Sequence, residues 1–171
     1  GAAAYADSVA VYLGLAVART ADYASSLTTW ASNPQMEILR NVFGRQAIPM
    51  VWDFAEGNPF GPSSGSLEIM LRAGGKVLER VPALGDNLAT QDDAATGDYS
   101  GVLVSTDPPY YDNIGYANLS DFFYGWLRQS LGTVLPDLFV TVQTPKSDEL
   151  VADPYRHGGK QNASDFFERG F

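Results

Sequence analysis

Gly101-Val102-Leu103-Val104-Ser105-Thr106-Asp107-Pro108-Pro109-Tyr110-Tyr111-Asp112 is the stretch on which the fold of this chain turns. Its first residues are a short apolar run rich in Val and Leu, which predicts a buried strand. The run stops at an acid, two prolines and two tyrosines. Proline donates no ladder hydrogen bond, so the strand must end there and a stiff corner begin. A carboxylate, a rigid turn and aromatic rings then stand together at the carboxyl end of a strand. That is the edge at which open α/β sheets bind ligands.

Such a corner suits methylation of an exocyclic amino group. That nitrogen is a poor nucleophile because its lone pair is delocalised into the ring. It needs acceptors aimed at its two hydrogens to stabilise the charge that develops on it. Asp107 offers carboxylate oxygens, and Pro108 a carbonyl whose direction Pro109 restricts. Tyr110 offers a face for a planar base. The sequence Asp107-Pro108-Pro109-Tyr110 after a strand resembles the catalytic motif of amino-group DNA methyltransferases. These enzymes use S-adenosylmethionine and act on adenine or cytosine.

Three further stretches are similar to one subfamily, the zinc-ribbon-containing adenine-specific DNA methylases that carry the DUF1156 domain. They are Gly44 to Glu56, Asn113 to Arg128, and Pro154-Tyr155-Arg156-His157-Gly158-Gly159. The resemblance implies that Asp107, Pro108, Pro109 and Tyr110 are catalytic and that S-adenosylmethionine is the cofactor. By the same resemblance Asp93, with Asp92 beside it, would accept a hydrogen bond from the cofactor's adenine, and Thr106 is grouped with the cofactor contacts. Tyr111, Asn113, Tyr116, Arg156 and His157 are grouped as substrate contacts. Tyr124 is a further candidate for the base. DNA would be the partner, engaged through the whole protein, and restriction–modification or phage defence the setting.

Composition narrows the rest. The chain has 171 residues, enough for a real core. It lacks cysteine and has one histidine, His157, so neither a disulfide framework nor a zinc site of its own is expected. The subfamily's zinc ribbon would lie outside it. The net charge of −9 is a poor footprint for gripping DNA phosphates, so basic surface must come from elsewhere in the polypeptide or the substrate is not a duplex. The apolar N-terminal stretch carries Asp7, Arg19 and Asp22 and has no basic leader. Neither a signal peptide nor a membrane span is expected, and the cytoplasm is the default.

Along the chain, Val9, Leu13, Ala16, Thr20, Tyr23 and Leu27 recur at helical steps and predict a helix over 3–27, with Asp7, Arg19 and Asp22 off the apolar stripe. A long helix so near the first residue suggests a piece of a larger protein. Ser32-Asn33-Pro34 predicts a helix start, with a short helix to Phe43. Residues 45–54 read as a strand or extended loop, with Trp52 and Phe54 in the core or flanking a pocket. Residues 57–65 are a loop. Leu67, Met70, Leu71, Val77, Leu78 and Val81 predict a helical face over 66–81, weakened by Gly74-Gly75. Residues 87–95 predict a short strand or a solvated acidic turn, and 138–142 another strand. A helix over 120–131 would be capped by Ser120, with Phe122, Phe123, Trp126 and Leu127 largely core. A last helix begins near Ala163. Tyr155 to Lys160, the basic, glycine-bearing cluster, reads as a phosphate contact or a surface turn.

The expected architecture is α/β: part of a class I methyltransferase, a Rossmann-like sheet flanked by helices with a helix-rich N-terminal part. Residues 1–56 form a helical insert region, 57–65 a loop and 66–171 the catalytic-motif half of a single fragment. No glycine-rich cofactor loop of the Phe-x-Gly-x-Gly kind occurs. The piece would therefore be inactive alone, with the remainder of the same polypeptide supplying that loop. Asp rather than Asn at position 107 favours DNA. The motif type also serves cytosine, RNA and protein glutamine, and a non-catalytic interaction module is the reading from another class.

Overall fold

A computed structural model describes residues 1–33, 35–81, 85, 88–90 and 92–171. The fold mixes helices with one small sheet. In chain order the elements are α1 (Ala2–Ala21), β1 (Thr29–Asn33), β2 (Met36–Arg40), α2 (Leu67–Arg80), α3 (Tyr116–Leu131), a 3-10 turn at Pro136–Leu138, and α4 (Lys160–Gly170). The chain divides into two compact units. The first comprises Gly1–Pro82 and Leu119–Thr144, the second Ala83–Asn118 and Pro145–Phe171. The 57–65 loop lies inside the first. No described helix is long and apolar enough to cross a membrane.

In the first unit, α1 stops at Ala21, six residues before the expected end. The stop is made by Asp22, whose side chain is fully buried rather than off the apolar stripe. Its Oδ2 accepts from Arg19 Nη1 at 2.6 Å and Asn41 Nδ2 at 3.1 Å. Its Oδ1 accepts from the Phe43 amide at 3.2 Å, and its carbonyl from the Val42 amide at 2.9 Å. Asp22 thereby satisfies the chain that leaves β2. The buried part of α1 is its second half, where Gly14, Ala16, Ala18, Thr20 and Ala21 are small. Val9 and Leu13, expected on the stripe, are exposed. Gly14 permits close approach, since a Cβ there would come within 3.0 Å of Leu131, a buried residue at the end of α3.

The helix expected after Ser32-Asn33-Pro34 is not formed. Thr29–Asn33 and Met36–Arg40 pair antiparallel, with Trp30 opposite Leu39 and Ala31 opposite Ile38. A helix of about ten residues is marginal by itself and does not hold against such cross-strand pairs. The Asn33 side chain accepts from the Gln35 amide at 2.8 Å, which favours the turn over a helical start. A lone two-stranded hairpin is marginal in water, and the Asp22 bonds to Asn41, Val42 and Phe43 anchor this one.

The strands expected at 101–104 and 138–142 are absent, and of the two readings of 45–54, strand or extended loop, no strand forms; all three runs are irregular. Their side chains lie largely in solvent: Trp52 is 93% and Leu103 98% exposed, and Val140 and Val142 are also exposed. Trp52 and Phe54 are therefore not core residues. A strand needs a neighbour to satisfy its backbone, and only the local hairpin offers one among the described residues. The 87–95 reading falls partly outside the described residues; Leu88 to Thr90, Asp92 and Asp93 form no strand.

The remaining helices follow the sequence more closely. α2 runs as expected, but its apolar face is not buried: Leu71, Val77, Leu78 and Val81 are exposed. Its first amide contact is Leu67 N–H to the Pro59 carbonyl at 2.8 Å. α3 begins four residues before Ser120, which is therefore helical rather than a cap. Phe122 and Phe123 pack on Phe43 with ring centroids 5.3 and 5.1 Å away, while Trp126 is exposed. α4 starts at Lys160 and buries Ala163.

The second unit has its own small core of Val151, Ala152 and Ala163. Tyr111 sets its ring edge-on to Phe167 at 5.1 Å, and its carbonyl accepts from the Ala152 amide at 2.8 Å. His157 stacks on Phe166 at 4.0 Å. The chain enters α4 through Gly158 and Gly159 at φ 70° and 130°. Both lie in territory where a side chain is penalised, so glycine is required at that corner.

Candidate functional site

Asp107, Pro108 and Tyr110 stand exposed on an irregular segment of the second unit, with Pro109 half-buried. Tyr110 is 70% exposed, and its carbonyl accepts from the Asn113 amide at 3.0 Å, closing a turn. From Leu103 to Pro109, no backbone or side-chain group hydrogen-bonds to another described residue. The carboxylate of Asp107 and the ring of Tyr110 are thus presented to solvent, uncommitted to the fold. Thr106 lies exposed beside them.

Asp92 and Asp93 form an exposed acidic turn. Asp92 Oδ1 accepts from the Asp93 amide at 2.9 Å, and Asp93 Oδ1 from the Ala95 amide at 2.9 Å. One carboxylate oxygen of each is therefore spent on the turn itself. Nearby, Asp98 accepts from the amide of Ser100 at 2.9 Å. Hydrogen bonds from the Ser100 hydroxyl, and next from its amide, hold the Asp98 carboxyl below its ordinary value of 3.8.

The residues that the structure does gather are Arg156 and the start of α3. Arg156 Nη1 lies 2.6 Å from Glu149 Oε2 and 3.0 Å from the Lys146 carbonyl, and its Nε lies 3.3 Å from Asp153 Oδ2. Glu149 Oε1 accepts from the Ala117 amide at 2.9 Å. A carboxylate from 32 residues downstream thus serves the N-terminal turn of α3, where amides lack helical partners and the dipole favours negative charge. That explains why the helix starts at Tyr116 rather than at Ser120. Gly115 sits against this group: a Cβ there would come 3.0 Å from Arg156 Nη2 and 3.1 Å from Asn118 Nδ2. Tyr116 and Asn113 flank the same turn, and Tyr116 is half-exposed.

The cluster's charge sums to one cation against two carboxylates. Arg156 is neutralised by its own neighbours, a poor arrangement for holding a phosphate. Its Nη2 and His157 Nε2 are nevertheless buried without a hydrogen-bond partner among the described residues, so the pair retains unused polar capacity. Glu149, Asp153 and Gly115 are participants that sequence reasoning missed. Asp153 carries a local signal, an acid three residues before Arg156. Glu149 carries none, because its partner amide is remote in sequence.

Tyr124 belongs to the first unit and is committed there. Its hydroxyl donates to the Thr141 carbonyl at 2.9 Å and its ring meets Phe139 at 5.5 Å. A small hollow in that unit is lined by residues including Tyr23, Leu39, Pro59 and Ser66. The Ser66 hydroxyl there is buried and unpartnered, but no charged side chain lines the hollow. No family model matches the chain, and neither curated proteins nor solved structures yield a significant match.

Proposed function

We propose that this chain carries the substrate-side motif of an amino-group methyltransferase acting on adenine in DNA. The observation that carries the reading is Asp107-Pro108-Pro109-Tyr110, whose carboxylate, carbonyl and ring are exposed and uncommitted. An adenine extruded from the duplex stacks on Tyr110, at a cost of a few kcal/mol for unstacking. Asp107 and the Pro108 carbonyl accept the two amino hydrogens and stabilise the positive charge that grows on nitrogen. No base is needed before the transfer, because the proton leaves afterwards.

S-adenosylmethionine supplies the methyl group when bound. The described residues fit it only in part. Asp93 retains one carboxylate oxygen for an adenine amino group, but Asp92, Asp93 and Thr106 form no cradle, and no glycine loop follows a strand among the described residues. The close backbone approach that such a cofactor needs must be supplied by other polypeptide. The Rossmann-like sheet belongs to the same proposal. The basic surface for DNA must also come from outside this acidic chain.

Single-turnover methylation of an adenine-containing duplex by the complete enzyme tests the proposal. Asp107→Ala is expected to slow transfer by roughly two to three orders of magnitude, the range for losing one preorganised partner, with cofactor affinity changed far less. A mutant as fast as the parent would remove Asp107 from the mechanism.

A further inference from the structure

Val102, Leu103 and Val104 are 60%, 98% and 51% exposed, yet they form the most strand-prone run of the second unit. Exposure of all three side chains of such an apolar run is unusual for a finished surface. The backbone from Leu103 to Pro109 is equally unspent, with no hydrogen bond to any other described residue. From Ala83 to Asn118 the sequence holds Asp86, Asp92, Asp93, Asp98, Asp107 and Asp112 and not one lysine or arginine. A solvent-exposed segment that is apolar at its start and unspent in its backbone from Leu103 to Pro109, in a wholly acidic stretch, has a definite complement.

We infer that residues 102–107 are a strand-addition site for a basic polypeptide strand of alternating apolar and Lys/Arg residues. Main-chain bonds to 103–107 supply the pairing, Val102 and Val104 the apolar contact, and Asp98, Asp107 and Asp112 the attraction to cations. A strand of that kind would also bring positive charge beside Asp107, which this chain lacks there. The inference does not depend on the methyltransferase reading.

A synthetic peptide of alternating lysine and valine, about ten residues long, is the probe, and amide hydrogen exchange of the 171-residue chain the readout. Protection is expected at the amides of 103–107, with an affinity that falls as salt rises. A glutamate–valine peptide of the same length should bind at least about tenfold more weakly, because like charges oppose it. Val104→Pro should abolish the protection, since proline removes a ladder donor. The exchange of Ala117 and Ala163 in that variant should match the parent, showing that the unit remains folded. No protection at 103–107, equal binding of both peptides, or undiminished protection in Val104→Pro would each overturn the inference. So would concentration-dependent self-association that protects the same amides, which would make a second copy the occupant.

Discussion

Glu149 divides its two oxygens between Arg156 and Ala117: Oε2 lies 2.6 Å from Arg156 Nη1 while Oε1 receives the Ala117 amide at 2.9 Å. One carboxylate thus couples the loop before α4 to the first turn of α3, and so to the turn that follows Tyr110. Arg156 is better described as the residue that holds Glu149 in place than as a phosphate hook. The ion pair is largely shielded, its side chains 14% and 15% exposed.

Arg156→Ala should therefore destabilise the second unit by about 3 kcal/mol, as expected when one partner of a shielded pair is removed. The Ala117 amide should exchange faster in this variant. Arg156→Lys should rescue only in part, because a single ammonium cannot span Glu149, Asp153 and the Lys146 carbonyl together. Urea unfolding with residue-resolved hydrogen exchange would measure both, and full stability in Arg156→Ala would show the pair to be energetically idle.

Asp22→Ala should destabilise the first unit by about 3 kcal/mol, because Asn41 and the Phe43 amide lose their acceptor inside the protein. The contribution of Arg19 to that figure is small, since its side chain is half in water. Tryptophan fluorescence in urea, with Trp30 on β1 as the local reporter, gives the measurement. The hairpin should loosen before α1 does.

Gly159→Ala should cost about 1–3 kcal/mol, the strain of placing a side chain at φ 130°. The loss should appear as fraying at the start of α4 rather than at its end. Circular dichroism and exchange of the Ala163 amide would report it; an alanine variant as stable as the parent would mean that the corner has another conformation.

Asp98 should titrate below 3.8, and Ser100→Ala should raise its value toward that figure. Because the folded value is depressed, the stabilisation is present above the unfolded value and is lost as pH falls through the folded one. The Asp98–Ser100 turn should therefore loosen only in acid below about 3.8, visible in carboxyl-carbon NMR shifts.

The helices α1, α2, α3 and α4 were legible in the sequence because periodic apolar spacing and local hydrogen bonding act over a few residues. At Asp107-Pro108-Pro109-Tyr110 the absence of a strand was legible for the same reason, since proline fixes φ and donates no ladder bond whatever lies around it. Tertiary structure alone decided the rest. Whether 101–104 and 138–142 become strands depends on a partner for their backbones, which lies beyond any local window. The pairing of Trp30 with Leu39 overrode a helical spacing at Met36, Leu39 and Phe43, since cross-strand contacts outweigh weak intrinsic preference in so short a segment. The end of α1 was set by bonds from Asp22 to residues about twenty positions away, and the start of α3 by Glu149 from 32 away. Charge on those residues was visible in the sequence, but the amide each would meet was a matter of three-dimensional proximity.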